Sequence, residues 1–197
     1  MSNLCGKAFI SSRRACLIAA GAAVLAIGGA AMPAAAAADP VPVPSTEHHQ
    51  LAWPSGIAYL PARVNLLPTV SGTWVNTGLE VTLPQAGTYA LDLNVRTRLT
   101  GLPPVNVYIV GRLWDVTSGA ALPNSERILN QVYDNTLLAA GAVGGNVTAP
   151  ISELVTVSGP TTIRLEVQRN DNTGVANAAD VWTDANGRTS FRFDRVS

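Results

Sequence analysis

Leu79, Val81 and Leu83 alternate with Glu80 and Thr82. After Pro84-Gln85-Ala86-Gly87, the residues Tyr89, Leu91, Leu93 and Val95 alternate with Ala90, Asp92 and Asn94. Successive strand side chains point to opposite faces, so each run carries one apolar face and one wetter face. Two such runs around a Gly-containing turn predict a hairpin of a half-buried antiparallel sheet.

The same period continues along the chain. Strands are predicted over Trp74–Leu83, Thr88–Leu99 and Val105–Trp114, with Gly111 read as a bulge. Glu126–Asp134 sets Arg127, Leu129 and Gln131 against Ile128, Asn130 and Val132. It reads as a strand, or as a short helix capped by Asn124 or Ser125. Asn135–Ala149, rich in Gly and Ala, reads as a long loop, and Pro150–Val157 as a strand. In Thr161–Arg169, Ile163, Leu165 and Val167 are predicted inside, with Thr162, Arg164, Glu166 and Gln168 outside. Ala178–Thr183 is a further strand, Asn186-Gly187 a two-residue hairpin signal, and Arg188–Val196 a last strand with Phe191 and Phe193 inward. Many short strands with turn signals between them define an all-β antiparallel sandwich, immunoglobulin-like or jelly-roll. No Cys…Trp…Cys pattern favours the immunoglobulin form.

The first 38 residues read differently. Lys7, Arg13 and Arg14 precede an apolar run from Ala15 to Ala31, and Ala36-Ala37-Ala38 fits a small-residue cleavage site. This predicts a secretory signal peptide. The alternative is a membrane anchor, for which a run diluted by Ala and Gly falls short of the roughly 20 strongly apolar residues of a span. Ser12-Arg13-Arg14 resembles the start of a twin-arginine signal, so export by that route or the general one is expected.

Removing this segment changes the charge balance. The whole chain has 13 basic and 13 acidic residues. From Asp39 onward there are 10 Arg, no Lys and 13 acidic residues, a formal −3. Such a chain suits neither nucleic acid nor an anionic membrane surface. Both cysteines, Cys5 and Cys16, lie in the leader, so the mature part is expected to have no disulfide.

Residues 39–71 separate leader from sandwich. Asp39–Gln50 is a Pro-rich linker of extended geometry. The arm that follows carries Trp53, Ile57, Tyr59 and Leu60, too apolar for a free linker. Two readings are open. The arm is an irregular first strand over its own domain, or it docks on a sister subunit or partner through those four residues. The sandwich is placed at residues 72–197.

The run V-T-L-P-Q-A-G-T-Y-A-L-D-L-N-V, Val81–Val95, resembles the strand–turn–strand of C1q/TNF-like jelly rolls. Val105–Leu113 is similar to the strand that follows there, and Ser190-Phe191 to their closing aromatic strand. The resemblance implies a jelly roll, in such domains often a compact homotrimer, acting as a binding head. It implies no particular ligand. No collagen-like repeat precedes it.

Residues with chemical potential are few. His48 and His49, the only histidines, sit with Glu47 in the Pro-rich linker, where nothing fixes a catalytic base or a metal site. Asp171, Asp180 and Asp184, with Asn170, Asn172 and Asn186, suit either calcium ligation or ordinary turn chemistry. Glu80, Glu153, Glu166 and Asp115 fall on predicted solvent faces, which argues against a glycosidase pair. Trp74, Trp114 and Trp182 suit a sugar-stacking platform or the core, with core expected for at least two. No cofactor is expected. The expected function is a secreted, non-enzymatic extracellular binding or structural module. The alternatives are an adaptor subunit docking by its arm into a larger secreted assembly, such as an interbacterial toxin complex, and a carbohydrate-binding domain. A protein partner or self-association is expected, with a glycan as the other ligand class.

Overall fold

The computed structural model describes residues 53–137 and 140–197. The leader, the Pro-rich linker and the His48/His49 pair lie outside the described residues. Among the described residues the chain forms strands and no helix. In order these are β1 (Ser55–Tyr59), β2 (Val64–Asn65), β3 (Val75–Leu83), β4 (Gly87–Gly101), β5 (Val105–Asp115), β6 (Ala120–Ala121) and β7 (Arg127–Asp134). There follow β8 (Val143–Val157), β9 (Thr161–Thr173), β10 (Ala176–Val181), β11 (Thr183–Asp184), β12 (Gly187–Arg188) and β13 (Ser190–Arg195).

The strands make two antiparallel sheets. In the first, β4 pairs along its whole length with β8, from Gly87↔Val157 to Gly101↔Val143. Its other edge is shared: β13 pairs with residues 89–94 and β10 with residues 97–101. Beyond these lie β1 beside β13 and β2 beside β10. The second sheet runs β3-β9-β5-β7, with β6 at the end of β5. With β1/β2 and β10/β13 each counted as one interrupted strand, this is the eight-strand order of a jelly roll.

The core lies between the sheets and follows the alternation. Leu79, Val81, Leu83, Leu91, Leu93, Val95, Ile163, Leu165, Val167 and Phe191 are all buried there. The hairpin about Pro84–Ala86 forms as its sequence requires, and Tyr89 seals it by donating its hydroxyl to the Gln85 carbonyl.

The structure departs from the sequence pattern at four places. First, the sandwich begins near residue 55 rather than 72. β1 pairs with β13, Leu60 and Leu66 are buried in the core, and Leu66 N–H donates to the Ala179 carbonyl. The arm is thus the first strand of its own domain. Second, the segment read as a strand or short helix is the strand Arg127–Asp134, with Leu129 as an extra residue between the pairs Ile109↔Asn130 and Val110↔Ile128. This bulge turns both Leu129 and Asn130 inward and leaves Ile128 exposed. Gly111, paired on β5, is the space Leu129 fills: a Cβ there would lie 2.6 Å from Leu129 Cδ1. Third, the second half of the Gly/Ala-rich segment is the start of β8. Gly144 has φ 113° and packs on the Leu99 carbonyl and Val132, so its missing side chain permits the strand. Fourth, the hairpin near Asn186-Gly187 turns one residue earlier, at Ala185-Asn186. Asp184 Oδ1 accepts the Asn186 N–H and closes the turn.

Two outcomes test this architecture. Replacing Leu91 or Leu165 by Ala is expected to cost about 2–5 kcal/mol, and Asp92→Ala about 0.5 kcal/mol or less, read from chemical denaturation. A chain begun after Ser71 loses β1, β2, Leu60 and Leu66. It is expected to melt more than about 10 °C lower or to be insoluble, since each buried leucine contributes roughly 1.5–3 kcal/mol.

Candidate binding site

The four arm residues predicted to meet a partner divide. Trp53, Ile57 and Tyr59 are exposed, at 55%, 53% and 47%, while Leu60 is a core residue at 3%. Ile57 and Tyr59 are two apart on β1, so both stand on the outer face of the first sheet. Among the described residues β1 pairs with β13 alone, so one edge of this strand has no strand partner.

Next to it the chain leaves the sheet. Residues 182–189 break the last strand into β10 and β13, and β11 and β12 form a small hairpin in the gap. The neck closes on one hydroxyl. Thr189 Oγ1 accepts the Arg96 N–H at 2.9 Å and donates to the Trp182 carbonyl at 2.8 Å, while Trp182 N–H donates to the Arg96 carbonyl at 2.7 Å. Thr189 is fully buried. The hairpin is clamped by Arg96, whose Nη1 donates to Asp184 Oδ1 and the Gly187 carbonyl, and by the Trp182 indole, which donates to Asp184 Oδ2. The indole bond first, then Arg96, holds the Asp184 carboxyl below its ordinary pKa, so it stays ionised.

Four arginines gather here. Arg63 and Arg98 lie 4.6 and 5.7 Å from the Trp182 ring centre, and Arg188 lies 5.3 Å from that of Tyr59. Arg63 pairs with buried Asp180 at 2.7 Å and Arg96 with Asp184 at 2.6 Å. Between the hairpin and the β1 end is an open cleft of about 560 Å³, bounded by Tyr59, Leu60 and Pro61 on one side and Thr183, Asp184 and Arg188 on the other.

Of the two readings of Asp171, Asp180 and Asp184, calcium ligation finds no cluster among the described residues. Each aspartate is held by its own arginine: Asp171 by Arg169 at 2.7 Å, Asp180 by Arg63, Asp184 by Arg96. Among the described residues no group of three or more His, Cys, Asp or Glu is placed to hold a metal ion.

The tryptophans are not core residues. Trp74 and Trp114 are half-buried on the outer face of the second sheet with Arg112 4.0 and 4.7 Å from their ring centres. Arg112 and Arg164 both donate to Glu166. Glu166, expected in solvent, is therefore buried, and Arg164 is part of its cover. Glu153, also expected outside, shares the side of Ile151 and Val155 and pairs with Arg127. With these ring faces taken by guanidinium groups, the three tryptophans form no shared sugar platform.

The arginine cluster was missed in the sequence. Its one signal was Arg96 and Arg98, two apart on a strand whose alternate residues face the core.

No known protein family matches the chain, and no curated protein sequence matches it. Among solved structures it is similar to the VP2 protein of infectious bursal disease virus in derived T=1 particles. That match has 9% identity, a TM-score of 0.40 and covers 71% of this chain and 31% of VP2. A structure of the Gt strain of that virus matches at 13% identity and TM-score 0.41, covering 79% of this chain and 36% of its own. The chain spans about a third of the length of these proteins. By its own strand pairing the protein is an all-β jelly-roll sandwich.

Thr189→Val keeps the shape of the neck and removes its hydroxyl. It leaves the Arg96 N–H and the Trp182 carbonyl unpaired, and is expected to cost about 1–3 kcal/mol. Hydrogen exchange at Arg96 and Trp182 is expected to accelerate while exchange in β3 and β9 stays slow.

Proposed function

We propose that the protein is a secreted, non-enzymatic binding and structural module that makes its protein contacts through the β1 edge. One observation carries this: an edge strand with an unpaired side presents Ile57 and Tyr59 outward, with Trp53 just before it. Unpaired edges take up strands from other chains, and proteins that avoid this place charges or Pro in them. β1 has neither: its sequence is S-G-I-A-Y. An added strand gains main-chain hydrogen bonds, and flanking apolar side chains set its register.

The occupant in this reading is a second copy of the chain, in keeping with the C1q/TNF-like pattern of Val81–Val95 and the trimer it implies. The arm takes part as a fixed strand. It does not swing out to a distant partner, because Leu60 and Leu66 anchor it in the core.

Light scattering on the chain from Asp39 at micromolar concentration tests this. An assembly mass is expected, falling to monomer in Ile57→Asp with little change in melting temperature. A monomeric wild type, or an assembly unaffected by Ile57→Asp, would overturn the reading.

A further inference from the structure

The cleft beside the β11–β12 hairpin has a chemistry that the β1 edge does not need. Its volume, about 560 Å³, lies within the range of roughly 300–1,000 Å³ typical of small-ligand sites. Its charge runs against that of the chain. The part from Asp39 onward carries a formal −3. Around the hairpin Arg63 and Arg96 pair with Asp180 and Asp184, while among the described residues Arg98 and Arg188 add two positive charges that no ion pair offsets. Among the described residues Arg98 and Arg188 have no carboxylate partner, and their guanidinium N–H groups have no acceptor.

Arg188 is the one of these that borders the cleft. Its guanidinium rests on the Tyr59 ring, which orders it without using its donors. The same hairpin carries an acceptor of fixed orientation. Asp184 accepts from Arg96 and the Asn186 N–H on Oδ1 and from the Trp182 indole on Oδ2, which leaves Oδ2 one further lone pair. Thr183 adds a hydroxyl to the same wall, and Leu60 and Pro61 an apolar floor.

We propose that this cleft binds a carboxylated sugar residue of an acidic polysaccharide. The sugar ring lies on the floor of Leu60 and Pro61, the carboxylate takes the donor fork of Arg188, and ring hydroxyls donate to Asp184 Oδ2 and meet Thr183. The combination selects the class. A bare inorganic anion would gain only Arg188 and be opposed by Asp184. A neutral sugar would leave Arg188 without an acceptor. An acidic peptide would use the charge but not the hydroxyl acceptor. A forked pair between arginine and a planar carboxylate fits the group presented.

Calorimetric titration of the chain from Asp39 tests this with oligomers of galacturonate, alginate and hyaluronan, each beside its carboxyl-reduced, neutral form. At least one acidic oligomer is expected to bind. Its neutral form, and the Arg188→Gln variant with the acidic form, are expected to bind about tenfold or more weakly, as for a lost charged hydrogen bond. Arg192→Gln, an exposed arginine paired with Asp194, is expected to bind as wild type does. So is Ile57→Asp, which separates this site from the β1 edge. Failure of all three acidic oligomers would overturn the proposal. So would equal binding of inorganic phosphate or polyglutamate, or an equal loss in Arg192→Gln or Ile57→Asp.

Discussion

β4 must pair on both edges over fifteen residues, and the chain offers it only an interrupted strand on one of them. The rest of the first sheet depends on how that gap is bridged. At residues 95–96 neither β10 nor β13 reaches β4 in register. The backbone of Arg96 is satisfied instead by Trp182 and the Thr189 hydroxyl, because a buried unpaired amide would cost a kcal/mol or more, roughly 1–3. The side chain of Arg96 then holds the hairpin that the interruption creates. The gap, its closure and the cleft beside it are consequences of one pairing problem.

Arginine is the cation that makes this surface possible. From Asp39 onward the chain has ten Arg and no Lys. A guanidinium is planar, stacks on aromatic rings and still donates in its own plane, which an ammonium does not do. Arg112 does both at once, lying against Trp74 and Trp114 while donating to buried Glu166. Arg63 does the same with Trp182 and Asp180. Polar outer faces of the two sheets thus become ordered layers, and carboxylates that look solvent-facing are enclosed. The cost of enclosing a charge is offset only when its partner is well placed, and here a ring holds Arg112 beside Glu166 and Arg63 beside Asp180.

These layers leave two kinds of surface open. One is the β1 edge, apolar and unpaired, suited to another strand. The other is the cleft at the end of β1, where one hairpin wall carries both Arg188 and Asp184. They share Tyr59, exposed at the edge and stacked under Arg188. On the proposed readings, a module with both joins its own assembly to an acidic polymer.

The alternation of apolar residues by itself determined the long strands, their inward faces and the antiparallel-sandwich class, because a two-residue period leaves one choice of face once a sheet is half buried. Leu91, Leu165, Phe191 and Phe193 were legible for that reason. Tertiary contact decided the rest. β1 and β2 are short and broken by Pro61, so only pairing with β13 and β10 makes them strands. Leu129 turns inward because Gly111 across the sheet leaves room, a fact about two strands rather than one. Gly144 reads as loop until the Leu99 carbonyl is seen against it. The arginine layers were least legible, since Arg63, Arg96, Arg98 and Arg188 are scattered along the chain and meet only where the last strand is interrupted. A local pattern records which face a residue takes; which residues share that face depends on strands far apart in sequence.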